Sequence, residues 1–207
     1  CAGLMVGPVV TGYLWRPAYL LTFYLPAGLV LCLVPMVALT RLGTRTVTNN
    51  NQAQEGLGVG DTRLFLKLAW LGNFASWFAG GTIGAMFPKL GYTLALTEPQ
   101  VGWTLAFFRF GQLAMFLYTR YQQRWQYRLW PLLVVQAVAA AGMIVVVAAR
   151  TMPLFAVGFA AAGICAGMTY VSSLFYALHG RDEGKGRTSG FHEAVLGSGM
   201  VLGPLLG

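Results

Sequence analysis

Charge is scarce in this chain. Only 10% of its 207 residues are charged, and only six are acidic, whereas soluble domains carry about 25% charged residues. Apolar stretches near or above the length needed to cross a bilayer recur throughout, so this is an integral membrane protein. Alternation at period two is absent, which removes the signal of a membrane β-barrel. Cysteine is nearly missing: Cys1, Cys32 and Cys165 all stand in apolar runs, with neither metal spacing nor the makings of a disulfide framework. His179 and His192 lack a third ligand at metal spacing. No Gly-x-x-x-x-Gly-Lys-[Ser/Thr] loop occurs, which argues against a self-contained ATPase. The Gly-x-Gly at 58–60 stands in a polar stretch without the strand a dinucleotide site needs. No enzyme, cofactor or metal is therefore expected. An initiator Met and a basic leader are also lacking. The chain opens and closes inside apolar runs, as a segment of a longer protein would.

What is abundant is glycine, 27 residues of it, and its placement is patterned. Near the start stands Gly3-x-x-x-Gly7-Pro8 with Gly12. At the end stands Gly199-x-x-x-Gly203-Pro204 with Gly207. A Gly-x-x-x-Gly step bares a strip of helix backbone for a neighbouring helix, and the proline removes a backbone donor. The two copies are separated by about six helices plus loops, the pattern of a duplicated transporter. Between them, residues 19–39 form an apolar run and 40–63 a polar, glycine-bearing linker. Further runs span 64–87, 100–119, 131–149 and 153–178, and a last run starts near Thr188. Residues 88–99 are expected to form a loop. Glycines 80, 81 and 84 mark a bend or a close contact.

The basic residues set the orientation. Arg41, Arg45, Arg63, Arg120, Arg124, Arg128, Arg181, Lys185 and Arg187 fall on one side, and Arg16, Lys89 and Arg150 on the other. This bias makes the first side cytoplasmic and explains the net charge of +8 without nucleic acid. A contact of Arg120, Arg124, Trp125 and Arg128 with lipid head groups is a secondary reading. Trp15, Tyr92, Trp103, Trp125 and Trp130 cluster near run ends, as interface anchors do.

Ionisable groups inside a membrane are functional candidates. Arg109 lies midway along its run and supplies a fixed positive charge. Gln112, three residues on, shares its helical face. Arg109 is expected to attract an anionic group or to pair with a carboxylate. Glu193 is the only acidic residue inside an apolar run. Burial would raise its pKa and suit it to carry a proton, while a wet, first-turn glutamate is the plainer alternative. His192 is adjacent but about 100° away around the helix, so no facing pair is expected. It reads as an interfacial histidine, with a proton relay as the sharper possibility.

With runs, loops and orientation in place, the chain resembles a major facilitator superfamily transporter, whose twelve helices form two six-helix halves joined by a long cytoplasmic loop. The helix-five antiporter signature of that family is matched by Gly3, Gly7, Pro8 and Gly12, with Thr11 where a glycine is usual. Gly199, Gly203, Pro204 and Gly207 form the helix-eleven counterpart. The signature after helix eight is kept only at Arg120 and Arg124, with Thr119 at its acidic position. The resemblance implies an all-α, polytopic transmembrane bundle. Residues 1–39 would end the N-terminal half (partial helix five and helix six). Residues 40–63 would be the central loop. Residues 64–207 would hold helices seven to ten and part of helix eleven. It further implies that Asn73 and Ser76, on helix seven, and Thr169, Tyr170 and Ser173, on helix ten, face the substrate cavity. Interhelical hydrogen bonds are the equal alternative for them. The implied function is secondary transport of a small solute by alternating access, with a proton as candidate co-substrate. The implied partners are the bilayer and that solute, and the expected location is a bacterial inner membrane. The rival is a polytopic sensor, scaffold or lipid-modifying protein, which a His, Asp or Cys cluster at a membrane face would favour.

Overall fold

The computed structural model describes residues 59–178 and 185–206. They form five helices: α1 (Val59–Thr93), α2 (Glu98–Tyr121), α3 (Leu129–Ala148), α4 (Met152–Leu178) and α5 (Lys185–Leu206). No strand occurs among the described residues. The N-terminal glycine motif, Gly207, Trp15 and the assignments of 1–39 and 40–58 lie outside them. α3 and α4 are each long and apolar enough alone to cross a bilayer. α1, α2 and α5 carry more polar residues and owe their place to packing.

Two boundaries differ from the sequence reading. α1 begins at Val59, inside the expected linker, and runs through Pro88 to Thr93 where a loop was expected. Proline costs a helix the bond to the carbonyl four residues back and crowds it. Here that residue is Gly84, with no atom within 4 Å of where a Cβ would stand. The true connection is Leu94–Thr97. Ala95 turns through φ 54°, and Leu96 N–H donates to the Gly91 carbonyl at 2.9 Å. α2 then starts with the Thr97 N–H donating to Gln100 Oε1 at 2.8 Å. Glu98 and Pro99, expected in the loop, open α2.

α4 is the hub, packed against all four other helices. Its small residues explain this. The Phe108 carbonyl of α2 occupies the place of a side chain at Gly163, and a Cβ at Gly167 would stand 2.8 Å from the Gln112 carbonyl oxygen. Gly111 of α2 receives the Ala160 carbonyl in return. Gly142 of α3 and Gly158 of α4 meet in the same way: a Cβ on Gly158 would be 2.6 Å from the Gly142 oxygen. α5 packs on α1 likewise. A Cβ on Gly199 would be 2.8 Å from the Phe74 oxygen, and Gly203 faces the Phe78 carbonyl. Pro204 leaves the Met200 carbonyl without its helical donor, and that oxygen would be 2.7 Å from a Cβ on Gly81. Thr82 Oγ1 donates across to the Gly203 carbonyl at 2.9 Å. Backbone thus meets backbone, as small-residue membrane packing requires.

Aromatic clusters close both ends of the bundle. Phe87, Phe108, Phe155 and Phe159 pack at one end. At the other, Phe65 stacks on Tyr176 with ring centroids 5.5 Å apart.

Candidate functional site

Arg109 sits half-buried in the middle of α2. Its Nη1 donates to Gln112 Oε1 at 3.0 Å, the helical neighbour that the three-residue spacing indicates. Its guanidinium lies 5.5 Å from the Trp77 ring centre and 5.1 Å from that of Phe108. The charge is therefore held by one neutral amide and two aromatic faces. Of the described carboxylates, Glu98 stands eleven residues earlier on the same helix, about 16 Å along its axis. Glu193 lies against His192. Gln112 is buried, and its backbone is the part of α2 that presses on Gly167.

Ser76 and Thr169 meet across the α1–α4 interface. Ser76 Oγ donates to the Gly72 carbonyl at 2.7 Å. It accepts from Thr169 Oγ1 at 3.2 Å and lies 3.3 Å from Cys165 Sγ. Thr169 Oγ1 also lies 2.9 Å from the Cys165 carbonyl oxygen. Both residues are buried. Of the two sequence alternatives, the interhelical hydrogen bond describes this pair. Asn73, on the same face of α1 one turn earlier, is fully buried, and neither Oδ1 nor Nδ2 has a partner. Ser172, one turn past Thr169 on α4, is buried with an unpartnered Oγ. Each such group costs about 1–3 kcal/mol. Sequence reading passed over Ser172, although its spacing from Thr169 puts it on the α1-facing side of α4.

Among the described residues, the most buried ionisable side chain is His192 of α5, at 0% exposure. This corrects its reading as an interfacial histidine. Its Nδ1 lies 2.9 Å from Ser173 Oγ. Ser173 Oγ also lies 3.0 Å from the Tyr170 carbonyl oxygen. Nε2 has no hydrogen-bond partner and stands 3.6 Å from Glu193 Oε1. The Tyr170 ring caps the imidazole edge-on, with centroids 5.1 Å apart.

His192 and Glu193 thus do face each other, contrary to expectation. Adjacent side chains diverge by 100°, but their Cα atoms are only about 3.8 Å apart, and the glutamate stem is long enough to fold back. Glu193 itself is not enclosed: its side chain is 60% exposed. The sequence residues therefore separate into three places: Arg109 with Gln112 on α2, Ser76 with Thr169 at the α1–α4 interface, and His192, Glu193, Ser173 and Tyr170 between α4 and α5. Among the described residues, no group of three His, Cys, Asp or Glu is placed to hold a metal.

Residues 1–204 match the family model described as Major Facilitator Superfamily. No curated protein and no solved structure matches the chain.

Proposed function

Because the chain belongs to the major facilitator superfamily, whose members are membrane transporters, we propose that it carries out proton-coupled secondary transport of a small anionic solute by alternating access. Residues 64–207 would form most of one half. The observation that carries the proton part is the geometry of His192. A wholly buried imidazole has its Nδ1 engaged by Ser173 and its Nε2 bare beside an exposed carboxylate. A proton arriving at Nε2 is stabilised by Glu193 at 3.6 Å, and Glu193 connects the site to water. Arg109, held by Gln112 and aromatic faces, supplies the fixed charge that draws an anion.

The test is uptake into vesicles under an imposed pH gradient. Ser173→Ala leaves the imidazole without its orienting partner and is expected to weaken the response to the gradient while leaving counterflow exchange in place. His192→Gln is expected to abolish gradient-driven accumulation. Accumulation by both variants that still follows the pH gradient as in the parent protein would refute the assignment.

A further inference from the structure

A crevice of 190 Å³ opens between the end of α2 and the start of α3, on the side where the loop arginines stand. Its floor is apolar: Met115, Pro131, Val134 and Val135. Arg124, Trp125, Tyr118 and Trp130 complete its wall. Arg124 is exposed, whereas Trp125 is only 5% exposed, and its Nε1 has no hydrogen-bond partner. A buried indole N–H normally finds one.

This crevice is built in advance. The loop Gln122–Arg128 is fastened to the end of α4, with the Trp125 ring 5.3 Å from that of Phe175. The Tyr127 N–H donates to Tyr176 Oη at 3.0 Å. Tyr127 adopts φ 54°, a left-handed turn that directs the loop back onto the bundle. Charge in this loop is one-signed. Arg120, Arg124 and Arg128 are all exposed, and the sequence has no acidic residue between Glu98 and Asp182.

We propose that this crevice binds one anionic phospholipid from the cytoplasmic leaflet. The phosphate sits at Arg124. An acyl chain lies along Met115, Pro131 and Val134. A zwitterionic lipid offers the same chain but cancels the charge that three arginines select. A soluble phosphate offers the charge but leaves the apolar floor uncovered.

The experiment is native mass spectrometry of the detergent-purified protein with phosphatidylglycerol or phosphatidylcholine, paired with thermal unfolding. One phosphatidylglycerol is expected to stay bound where phosphatidylcholine leaves, and to raise the melting temperature. Arg124→Gln is expected to weaken retention about fivefold, the worth of one near-surface cation. Val134→Trp, at a half-exposed position, is expected to fill the crevice and remove binding with the charge intact. Equal retention of both lipids, retention unchanged in both Arg124→Gln and Val134→Trp, or an equal thermal shift from glycerol phosphate would each overturn the proposal.

Discussion

Replacing Gly167 with alanine tests the α2–α4 packing beside Gln112. A Cβ there would stand 2.8 Å from both the Gln112 carbonyl oxygen and Met115 Cβ, whereas ordinary contact begins at 3.4 Å. α2 and α4 must part by about 0.6 Å at this level, because carbonyl and helix backbone cannot rotate away. Overpacking of this kind costs about 1–3 kcal/mol, and alanine returns about 0.8–1 kcal/mol of helix propensity. The same change at Gly84, where nothing lies within 4 Å, carries the propensity gain alone. The two variants should therefore differ by about 1–3 kcal/mol, since the propensity part cancels. For a chain of this size that is about 2–12 °C in melting temperature. The assay is thermal unfolding in detergent followed by size-exclusion chromatography. A Gly167→Ala protein melting at or above Gly84→Ala would refute the backbone-to-backbone account of the α2–α4 contact.

Arg109→Gln should lower uptake about 10- to 100-fold, the worth of one charge-assisted hydrogen bond to an anion; unchanged uptake would end the role of Arg109 in transport. Thr169→Val and Ser76→Ala should couple in a double-mutant cycle by about 0.6 kcal/mol, as interhelical pairs do in membranes, and zero coupling would contradict their contact. Tyr176→Phe should cost about 1–3 kcal/mol by leaving the Tyr127 N–H unpaired. It should also speed tryptic cleavage at Arg124 and Arg128, whereas an unchanged cleavage rate would mean that the loop is fastened by other groups.

The helices were legible because apolar runs of bilayer length leave little else to form, and the Arg109–Gln112 pair because helical spacing alone brings it together. What was not legible depended on pairings between helices. Ser76 and Thr169 are 93 positions apart, so nothing local distinguishes a cavity hydroxyl from one spent on a neighbouring helix. Trp125, at a run end, read as an interface anchor, yet it is buried against Phe175 because the loop turns inward at Tyr127. Trp130 and Tyr92, read in the same way, are exposed. The loop expected from residue 88 is helix as far as Thr93, because a proline in a membrane helix is tolerated where the crowded residue is a glycine in open space.

The glycine contacts divide the bundle mechanically. α2, α3 and α4 touch through backbone at Gly111, Gly142, Gly158, Gly163 and Gly167, and α1 and α5 do so at Gly81, Gly199 and Gly203. Between these two groups the joint is made largely of side chains: Ser76 with Thr169, Phe65 with Tyr176, Ser173 with His192. Backbone contacts have no rotamers to give, while packed side chains allow small shear displacements. The bundle is thus two stiff blocks with one compliant seam. The imidazole lies in that seam, so under the proposed proton coupling a charge on it would act where side chains, and not backbone, join the two blocks of described helices.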